Sequence, residues 1–436
     1  MAESRELHVR ENDLLLLVGT VKGAFLLRSS AARSGWEIAG PWFQGQNVDA
    51  IAYDDRAGRR RLWASTLSWH WGPGLAFSDD FGRSWDSPEQ SRIRFPEDLG
   101  VAMKRVWQIV PGRAEEPDTL YAGVEPAALF ESRDAGLTWS ILRGLWDHPH
   151  RPKWQPGGGG LGLHTILPDP ANRKRMMIAI SAGGCYRTDD GGASWEAKNR
   201  GIRAEFMPEK FPEFGQCVHK IVQHPDRHGR YFLQNHWGLY RSDDAGDSWQ
   251  DVARDVPSDF GFAMAAHPQD ADVVYIVPIE SDQFRCTPEG RLRVYRTRDG
   301  AKSWEPLSEG LPQEHAYETI LRDALACDTL NPAGVYFGTR SGKLFGSADG
   351  GASWSLVMGG LPAVLCVKTA RVGAPATRRT RRARGAQARP SATDRPARGA
   401  QGAKAWARSA ATRRAPARAA QARRAARKRA RRLRGA

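Results

Sequence analysis

The 436-residue chain has a formal net charge of +15, but its excess of basic residues lies at one end. Residues 371–436 hold 22 of the 64 Lys and Arg and one of the 49 Asp and Glu, so residues 1–370 carry 42 basic and 48 acidic side chains, a net charge of −6. The overall basicity therefore does not indicate that residues 1–370 bind nucleic acid. A segment of 370 residues is long enough for two or three ordinary domains or for one large repeat fold.

The N-terminal segment predicts no targeting signal. The apolar run Leu14–Val18 has five residues, too few for a signal-peptide core or a membrane span. The five cysteines are scattered and form no Cys-x-x-Cys pair, so their spacing matches no zinc or redox motif. We expect a reduced, cytoplasmic protein without membrane association, and we predict neither a cofactor nor a metal.

One eight-residue motif, Ser/Thr-x-Asp-x-Gly-x-x-Trp, occurs six times, with Ala301 replacing the glycine in the fifth copy. The copies are Ser78–Trp85, Ser132–Trp139, Thr188–Trp195, Ser242–Trp249, Thr297–Trp304 and Ser347–Trp354. Counted from Trp36, which marks a degenerate earlier copy, successive tryptophans are 49 to 56 residues apart. A fixed period near fifty residues indicates stacked structural units.

Each unit reads as four short β-strands. In the third unit the runs are Val106–Val110, Thr119–Gly123, Ala128–Ser132 and Thr138–Leu142, separated by turn residues. The motif falls between the third and fourth runs. Four strands in about fifty residues are typical of a β-propeller blade.

The two ends of the repeat region predict how the ring closes. The first unit has only three strand runs, Leu14–Gly19, Ala24–Arg28 and Trp36–Ala39, and lacks its first strand. One further strand, Ala363–Thr369, follows the last motif. The sequence therefore predicts an all-β, seven-bladed propeller over residues 13–370, closed by pairing of the N- and C-terminal strands.

The repeated aspartates suit a turn better than a catalytic or calcium site. Asp and Ser/Thr oxygens accept hydrogen bonds from nearby backbone N–H groups, and Gly adopts backbone angles closed to other residues. The tryptophan supplies an apolar wedge against the neighbouring blade. A catalytic carboxylate is needed once or twice rather than in every repeat, so we interpret the motif as a scaffold.

The motif resembles the Asp-box, or BNR repeat, of sialidase-like propellers. Similar repeats occur in xyloglucan-cleaving hydrolases, the sortilin ectodomain and photosystem II assembly factors. The chain as a whole resembles bacterial BNR-repeat proteins that are loosely labelled glycosyl hydrolase or exo-sialidase. The phrases that carry this resemblance are Leu16–Ser29, His148–Trp154, Leu163–Pro170, Gln234–Ser242 and Val335–Gly342. It implies the propeller fold, and its motif is shared by enzymes and non-enzymes.

Sialidase chemistry does not transfer residue by residue. The resemblance implies three arginines that hold a substrate carboxylate, one of them in an Arg-Ile-Pro motif, a Tyr/Glu nucleophile pair and an acidic Asp. The chain contains no Arg-Ile-Pro, and the nearest text, Arg92–Pro96, has a different pattern. We therefore assign no sialidase residue and leave open whether the protein is an enzyme.

Strand alternation predicts where a site lies. The connections between blades and those between second and third strands open on one side of the ring, which we call the loop face, and the motif turns lie on the other side. Long polar and aromatic connections favour a ligand site at the central channel on the loop face. The candidate ligand-binding residues are Trp69, His70, Trp71, His148, His150, Arg151, Trp154, His164, His219, Asn235, His236 and Trp237.

Three interpretations compete for this face. In the first, tryptophans stack on sugar rings of a glycan, and a pair of carboxylates hydrolyses it. The candidate carboxylates are Glu280, Asp282, Glu318, Glu213 and Glu205. In the second, histidines such as the His148-x-His150 pair bind a metal. In the third, the face is a non-catalytic docking surface for a protein partner. We favour the glycan, with the protein-binding scaffold or assembly factor as the alternative.

The last 66 residues differ abruptly in composition. Residues 371–436 are rich in Arg, Ala, Gly and Pro, with Trp406 as their single aromatic residue. Such a composition cannot bury enough apolar surface to fold and predicts disorder. The tail is either a basic arm for nucleic acid or another acidic partner, or the product of read-through or a frameshift, which we favour.

Overall fold

The computed structural model describes residues 6–88 and 91–373. Within them the chain forms seven consecutive antiparallel sheets, six with four strands and one with three. The innermost strands of neighbouring sheets contact one another in one unbroken ring, which confirms the predicted seven-bladed propeller. No described helix is long and apolar enough to cross a bilayer.

The strands are numbered in chain order and grouped by blade. Blade 1 contains β1 (Leu14–Thr20), β2 (Gly23–Ser29), β3 (Glu37–Trp42) and the last strand, β27 (Val364–Arg371). Blade 2 contains β4 (Ile51–Asp54), β5 (Arg61–Ser68) and β6 (Gly72–Ser78). Blade 3 contains β7 (Arg105–Pro111), β8 (Leu120–Glu125), β9 (Ala128–Ser132) and β10 (Ser140–Ile141). Blade 4 contains β11 (Leu163–Pro168), β12 (Met176–Ile180), β13 (Gly184–Thr188) and β14 (Glu196–Ala197).

The remaining blades follow the same order. Blade 5 contains β15 (Val218–Gln223), β16 (Tyr231–Asn235), β17 (Leu239–Ser242) and β18 (Gln250–Asp251). Blade 6 contains β19 (Gly261–Ala266), β20 (Val274–Pro278), β21 (Val294–Thr297) and β22 (Glu305–Leu307). Blade 7 contains β23 (Leu325–Cys327), β24 (Val335–Gly338), β25 (Leu344–Ser347) and β26 (Ser355–Met358). The helix α1 (Arg143–Trp146) and four 3-10 turns, Arg56–Gly58, Glu97–Leu99, Arg151–Lys153 and Pro288–Gly290, lie in connections.

The two ends of the repeat region close blade 1 as predicted. Strand β27 pairs antiparallel with β1, with Val367 opposite Val18 and Ala370 opposite Leu15. The strand continues to Arg371, past the predicted boundary at residue 370, because Val372 is fully buried and its N–H donates to the Asp13 carbonyl. The rest of the predicted disordered tail, from residue 374, lies outside the described residues.

Blade 2 departs from the predicted four strands. Among the described residues its outer edge is a single bridge, in which Phe77 and Asp86 exchange backbone hydrogen bonds. Pro88 follows two residues later. Proline has no N–H to donate to a ladder, which is consistent with pairing that ends after one bridge.

All six motifs form the same turn between the third and fourth strand positions, as predicted. In the fourth-blade copy, Thr188 Oγ1 donates to Asp190 and accepts the Gly192 N–H, while Asp190 accepts both the N–H and the hydroxyl of Ser194. The other five copies repeat these bonds. The glycine position requires a left-handed backbone, which Ala301 also adopts with φ of +65°.

Each motif also packs against the preceding blade. The Trp139 ring meets Trp63 of blade 2 edge-on, and the Trp249 indole donates to the Lys198 carbonyl of blade 4. Arginines of the preceding blade reach the fourth residue of the motif: Arg187 donates to the Ala245 carbonyl at 2.8 Å and Arg296 to that of Gly350 at 2.6 Å. The motif therefore joins neighbouring blades as well as ending a hairpin.

Candidate functional site

A cavity of about 770 Å³ occupies the centre of the loop face. Its walls come from connections between blades, from turns between second and third strands and from the first residues of inner strands, as strand alternation predicts. The residues that line this central cavity are Val21, Asn47, Asp49, Arg105, Trp107, Lys153, Gln155–Gly159, Ser181, Ala182, Phe206, Met207, Phe214, Gly215, Cys217, His219, His236, Phe262, Arg285, Leu321–Asp323, Arg340 and Leu365.

Five of these side chains are cationic. Within the described part of the chain, Lys153, Arg285, Arg322 and Arg340 form no ion pair within 4.0 Å, whereas Arg105 lies 3.4 Å from Asp49. Arg322 is half-buried and its Nε donates to the His219 carbonyl at 3.0 Å. Burial lowers the pKa of Arg322. The cavity thus holds more positive charge than its own carboxylates neutralise.

Aromatic rings hold several of these cations in place. The guanidinium carbons of Arg105 and Arg322 lie 4.7 Å and 5.0 Å from the Trp107 ring centroid, and the Trp107 indole N–H donates to Glu125. Arg285 lies 5.3 Å from the Phe262 ring. Cation–π contacts of this kind fix a guanidinium without neutralising its charge. Trp107 is half-buried and lines the cavity although it lies on an innermost strand.

Asp323 is the anion at the floor of the cavity. Its Oδ1 accepts from Lys220 Nζ at 2.6 Å and from Lys368 Nζ at 3.0 Å, and all three side chains are largely buried. Although burial opposes ionisation, the two ammonium groups hold the pKa of Asp323 well below its usual range. Burial lowers the pKa of Lys220 to about 8, against the attraction of Asp323. We assign Asp323 an ionised state at neutral pH.

Asp49 has the opposite environment. It is 8% exposed, and burial raises its pKa despite the neighbouring Arg105. The central cavity therefore contains one carboxylate that is strongly ionised and one that takes up a proton more readily than usual.

Two of the twelve candidate ligand-binding residues, His219 and His236, line the cavity. His219 is buried and its Nδ1 donates to the Gly261 carbonyl at 2.6 Å. The half-buried His236 packs on Trp237, and its Nε2 lies 3.6 Å from Asp282 Oδ2. Both side chains therefore face the central cavity.

Four candidates, His148, His150, Arg151 and Trp154, lie in the long connection between blades 3 and 4, which packs around Tyr186. Trp154 is buried and its indole donates to the Tyr186 hydroxyl, which also bonds His150 Nδ1. His148 Nε2 bonds the Trp195 carbonyl, and Arg151 lies over the Trp146 ring at 3.3 Å. Because these groups are engaged with one another, this connection forms a folded wall beside the cavity.

Among the other candidates, His164 and Asn235 are buried, and three residues of blade 2 are exposed. His164 is fully buried between Thr165 and the Val218 carbonyl, and the buried Asn235 bonds the Arg203 carbonyl. Trp69, His70 and Trp71 form an exposed hairpin tip on blade 2, with the two tryptophans 97% and 85% exposed. The tip lies outside the cavity lining, and its tryptophans present large apolar faces to solvent.

The five candidate carboxylates fall outside the described cavity lining. Glu318 is buried and accepts from Ser341 and Lys343, Glu205 pairs with Lys210 and Arg203, and Glu213 lies 3.7 Å from His150. Glu280 is exposed, while Asp282 contacts the lining residue His236. The carboxylates inside the cavity, Asp49 and Asp323, were missed by the sequence analysis.

The missed residues share a recognisable position. Asp49 lies just before β4, and Arg322 and Asp323 lie just before β23, so both sets precede innermost strands. A polar residue just before an innermost strand is therefore the sequence signal that could have found them. The convergence of Arg285 and Arg340 depends on the lengths of two turns, which no local pattern encodes.

Comparison with protein-family models finds one match. Residues 183–323 match the model described as Sortilin-Vps10, "Sortilin, neurotensin receptor 3". The matched region is about a third of the chain and covers part of blade 4 and all strands of blades 5 and 6.

Curated relatives match a similar fraction of the chain. An oligoxyloglucan-reducing end-specific xyloglucanase from Emericella nidulans is 26% identical over 225 residues, which are 46% of this chain and 26% of that protein. The chain therefore spans about a quarter of the length of the curated relative it matches.

Solved structures confirm the fold. The GH74 enzyme of Niastella koreensis superposes with a TM-score of 0.54 at 18% identity, covering 79% of this chain and 52% of that chain. The GH74 xyloglucanase of Xanthomonas campestris gives 0.52 at 17% identity, covering 80% and 53%. At these identities the similarity concerns the propeller and not its chemistry.

Proposed function

We propose that this Asp-box propeller binds an acidic saccharide in the central cavity of its loop face. The observation that carries the proposal is the set of cationic side chains, Arg285, Arg322, Arg340 and Lys153, that line one cavity without a carboxylate partner in the described part of the chain. Arg322 is half-buried, and Lys153, Arg285 and Arg340 are exposed at the cavity surface. A half-buried cation is normally paired, so an unpaired Arg322 among three further unpaired cations favours an anionic ligand.

The geometry of the arginines suits a planar anion. A guanidinium offers parallel N–H donors that match a carboxylate or sulfate group in two hydrogen bonds. The Trp107 and Phe262 rings orient Arg322 and Arg285 before any ligand arrives, which reduces the entropy lost on binding. Three arginines that hold a carboxylate are also what the sialidase resemblance implies, although the chain lacks the Arg-Ile-Pro motif.

Two observations favour a saccharide as the carrier of the charge. The cavity of about 770 Å³ accommodates a ligand of two or three sugar units, within the usual range for small-molecule sites. A curated relative of the chain is named as a xyloglucanase, and so is the Xanthomonas campestris enzyme whose propeller superposes on it.

Asp49 and Asp323 favour glycoside hydrolysis as a second candidate function. Burial raises the pKa of Asp49, and the two lysines keep Asp323 ionised. Acid-assisted cleavage of a glycosidic bond uses one carboxyl group with a raised pKa and one ionised carboxylate, and the cavity lining contains one of each. In this mechanism Asp49 protonates the leaving oxygen, and Asp323 activates water or stabilises positive charge at the sugar.

Binding is tested by calorimetric titration of uronic-acid oligosaccharides and their neutral counterparts into the purified protein. We expect the acidic series alone to bind, and Arg322→Met to weaken binding about tenfold to a hundredfold through loss of a charge-assisted hydrogen bond. Arg340→Gln tests the same charge at an exposed position that does not support the fold. Arg298→Met, on the motif-turn side and 64% exposed, is the matched control.

Hydrolysis is tested by release of reducing ends from the saccharide that binds. Asp49→Asn removes the proton donor and keeps the shape of the side chain, so we expect product formation to fall at least a hundredfold while affinity changes less than threefold. Binding without turnover in the wild type would reject hydrolysis and leave the binding proposal standing. Absence of saccharide binding, with a protein captured through Trp69 and Trp71, would support the scaffold alternative.

A further inference from the structure

Three potential metal ligands converge on one wall of the central cavity. Cys217 lies immediately before β15, His219 is its second residue, and His236 follows the end of β16. One donor atom from each lies within 4.8 Å of the other two. The antiparallel pairing of β15 with β16 produces this convergence, because Val218 lies opposite Asn235.

The spacing of two of these atoms matches a tetrahedral metal centre. Cys217 Sγ lies 3.6 Å from His219 Nε2. Zinc–sulfur and zinc–nitrogen bonds of about 2.3 and 2.0 Å at the tetrahedral angle place the two ligand atoms about 3.5 Å apart. The side chains therefore have the required separation without moving the backbone.

Hydrogen bonding prepares His219 to act as a ligand. The Gly261 carbonyl can only accept, so the 2.6 Å contact requires a proton on Nδ1 and leaves the lone pair of Nε2 directed at Cys217. A metal-binding histidine commonly donates its second N–H to a backbone carbonyl or a carboxylate. The Asp282 carboxylate lies 3.6 Å from His236 Nε2, which is an ion-pair distance rather than a hydrogen bond.

We propose that Cys217, His219 and His236 bind one zinc-class transition-metal ion on the wall of the central cavity. Three protein ligands leave one tetrahedral position open, and water or an anionic ligand group in the cavity fills it. A thiolate and two imidazoles select zinc or a similar metal over magnesium or calcium, which prefer oxygen. A contact between Cys217 and His219 alone is typical of a weak thiol hydrogen bond. The third donor, His236, is what distinguishes a metal site from such a contact.

The charged side chains around Cys217, His219 and His236 are compatible with a bound metal cation. Burial raises the pKa of the Cys217 thiol, and the positive charges of Arg322 and Arg285 oppose this change. The same two arginines oppose a further positive charge at His219. A metal ion displaces the proton of its cysteine ligand, so the bound Cys217 thiolate and the Asp282 carboxylate would supply two negative charges in compensation. The proposal does not depend on saccharide binding, since a metal titration requires no saccharide.

Cobalt(II) and zinc titrations of the chelator-treated protein test the site directly. We expect one equivalent of cobalt to produce the near-ultraviolet thiolate-to-cobalt charge-transfer band and the intense visible bands of a tetrahedral centre, and one equivalent of zinc to remove them. Cys217→Ser should abolish the charge-transfer band. His236→Ala should weaken metal binding at least tenfold, and its half-buried position makes it the variant that tests binding independently of the core.

His148→Ala is the matched control. His148 also lies beside a second histidine, with ring centroids 4.6 Å apart, but it belongs to no three-ligand cluster among the described residues. It should bind metal as the wild type does, and the melting temperatures of all apo variants show that they are folded. Absence of the charge-transfer band at equimolar cobalt, or unchanged affinity in both cluster variants, would overturn the proposal.

Discussion

Each motif aspartate stabilises the turn that contains it. Asp190 accepts the N–H and hydroxyl of Ser194 and the hydroxyl of Thr188, and these bonds lower its pKa to about 2. Asp299 has the same environment, and its pKa is also lowered to about 2 although burial opposes the change. Carboxylates with such low pKa values are poor general acids at neutral pH, which fits a structural role.

The motif aspartates should make the propeller sensitive to acid. The pKa of Asp190 falls from 3.8 to about 2 on folding, so its stabilising contribution is complete above pH ~4 and is lost as the pH falls towards 2. Asp190→Asn should lower the urea midpoint at pH 7, and the difference from wild type should shrink below pH 3. Unfolding at pH 2 to 7 measures this. A difference that stays constant over this range would contradict the assigned role.

At the scale of elements, blades are joined by arginines as well as by apolar contacts. Arg187 donates to the Ala245 carbonyl of the next blade and also pairs with Asp189 and Asp247. Removing the Arg187 guanidinium leaves the Ala245 carbonyl without this hydrogen-bond donor. Arg187→Met should therefore reduce the free energy of unfolding by about 2 kcal/mol.

The comparison for this prediction is Arg133→Met. Arg133 is 77% exposed and pairs only locally with Glu131, so its replacement should change the free energy of unfolding by less than about 0.5 kcal/mol. Urea denaturation of both variants gives the values. Equal effects in the two variants would show that the inter-blade hydrogen bond adds nothing to stability.

The closing strand should be essential, and the residues after it dispensable. Strand β27 covers β1 and buries Val364, Cys366 and Val367. A chain that ends at Pro362 should lose cooperative thermal unfolding, because blade 1 would expose its inner edge. A chain that ends at Gly373 should keep the melting temperature of the full chain. A chain ending at Pro362 that melts like the full chain would refute ring closure.

For the whole molecule, the sequence predicted the architecture well because the fold is repetitive. Six copies of one motif determine period, strand count and turn position, and the incomplete first unit together with Ala363–Thr369 predicted closure. The strand end at Arg371 and the single Phe77–Asp86 bridge that forms the described outer edge of blade 2 were not predicted, because both depend on local pairing at an edge rather than on the repeat.

The site was predicted less completely. His219 and His236 follow from strand starts and turns, but the Tyr186 contacts that engage His148, His150 and Trp154 join segments more than thirty residues apart. The cationic cluster likewise combines residues from blades 3, 6 and 7. A propeller brings connections that are distant in sequence to one central cavity. The composition of a connection shows which ligands its side chains can bind, but not whether those side chains face the cavity.

Hydrogen–deuterium exchange with and without an acidic oligosaccharide tests most directly whether the central cavity is the ligand site. We expect slower exchange in the segments 153–159, 206–217 and 321–323, which contain cavity-lining residues, and unchanged exchange in the motif turns. Protection confined to the exposed hairpin tip around Trp69 and Trp71, or to the motif-turn side of the ring, would contradict this expectation.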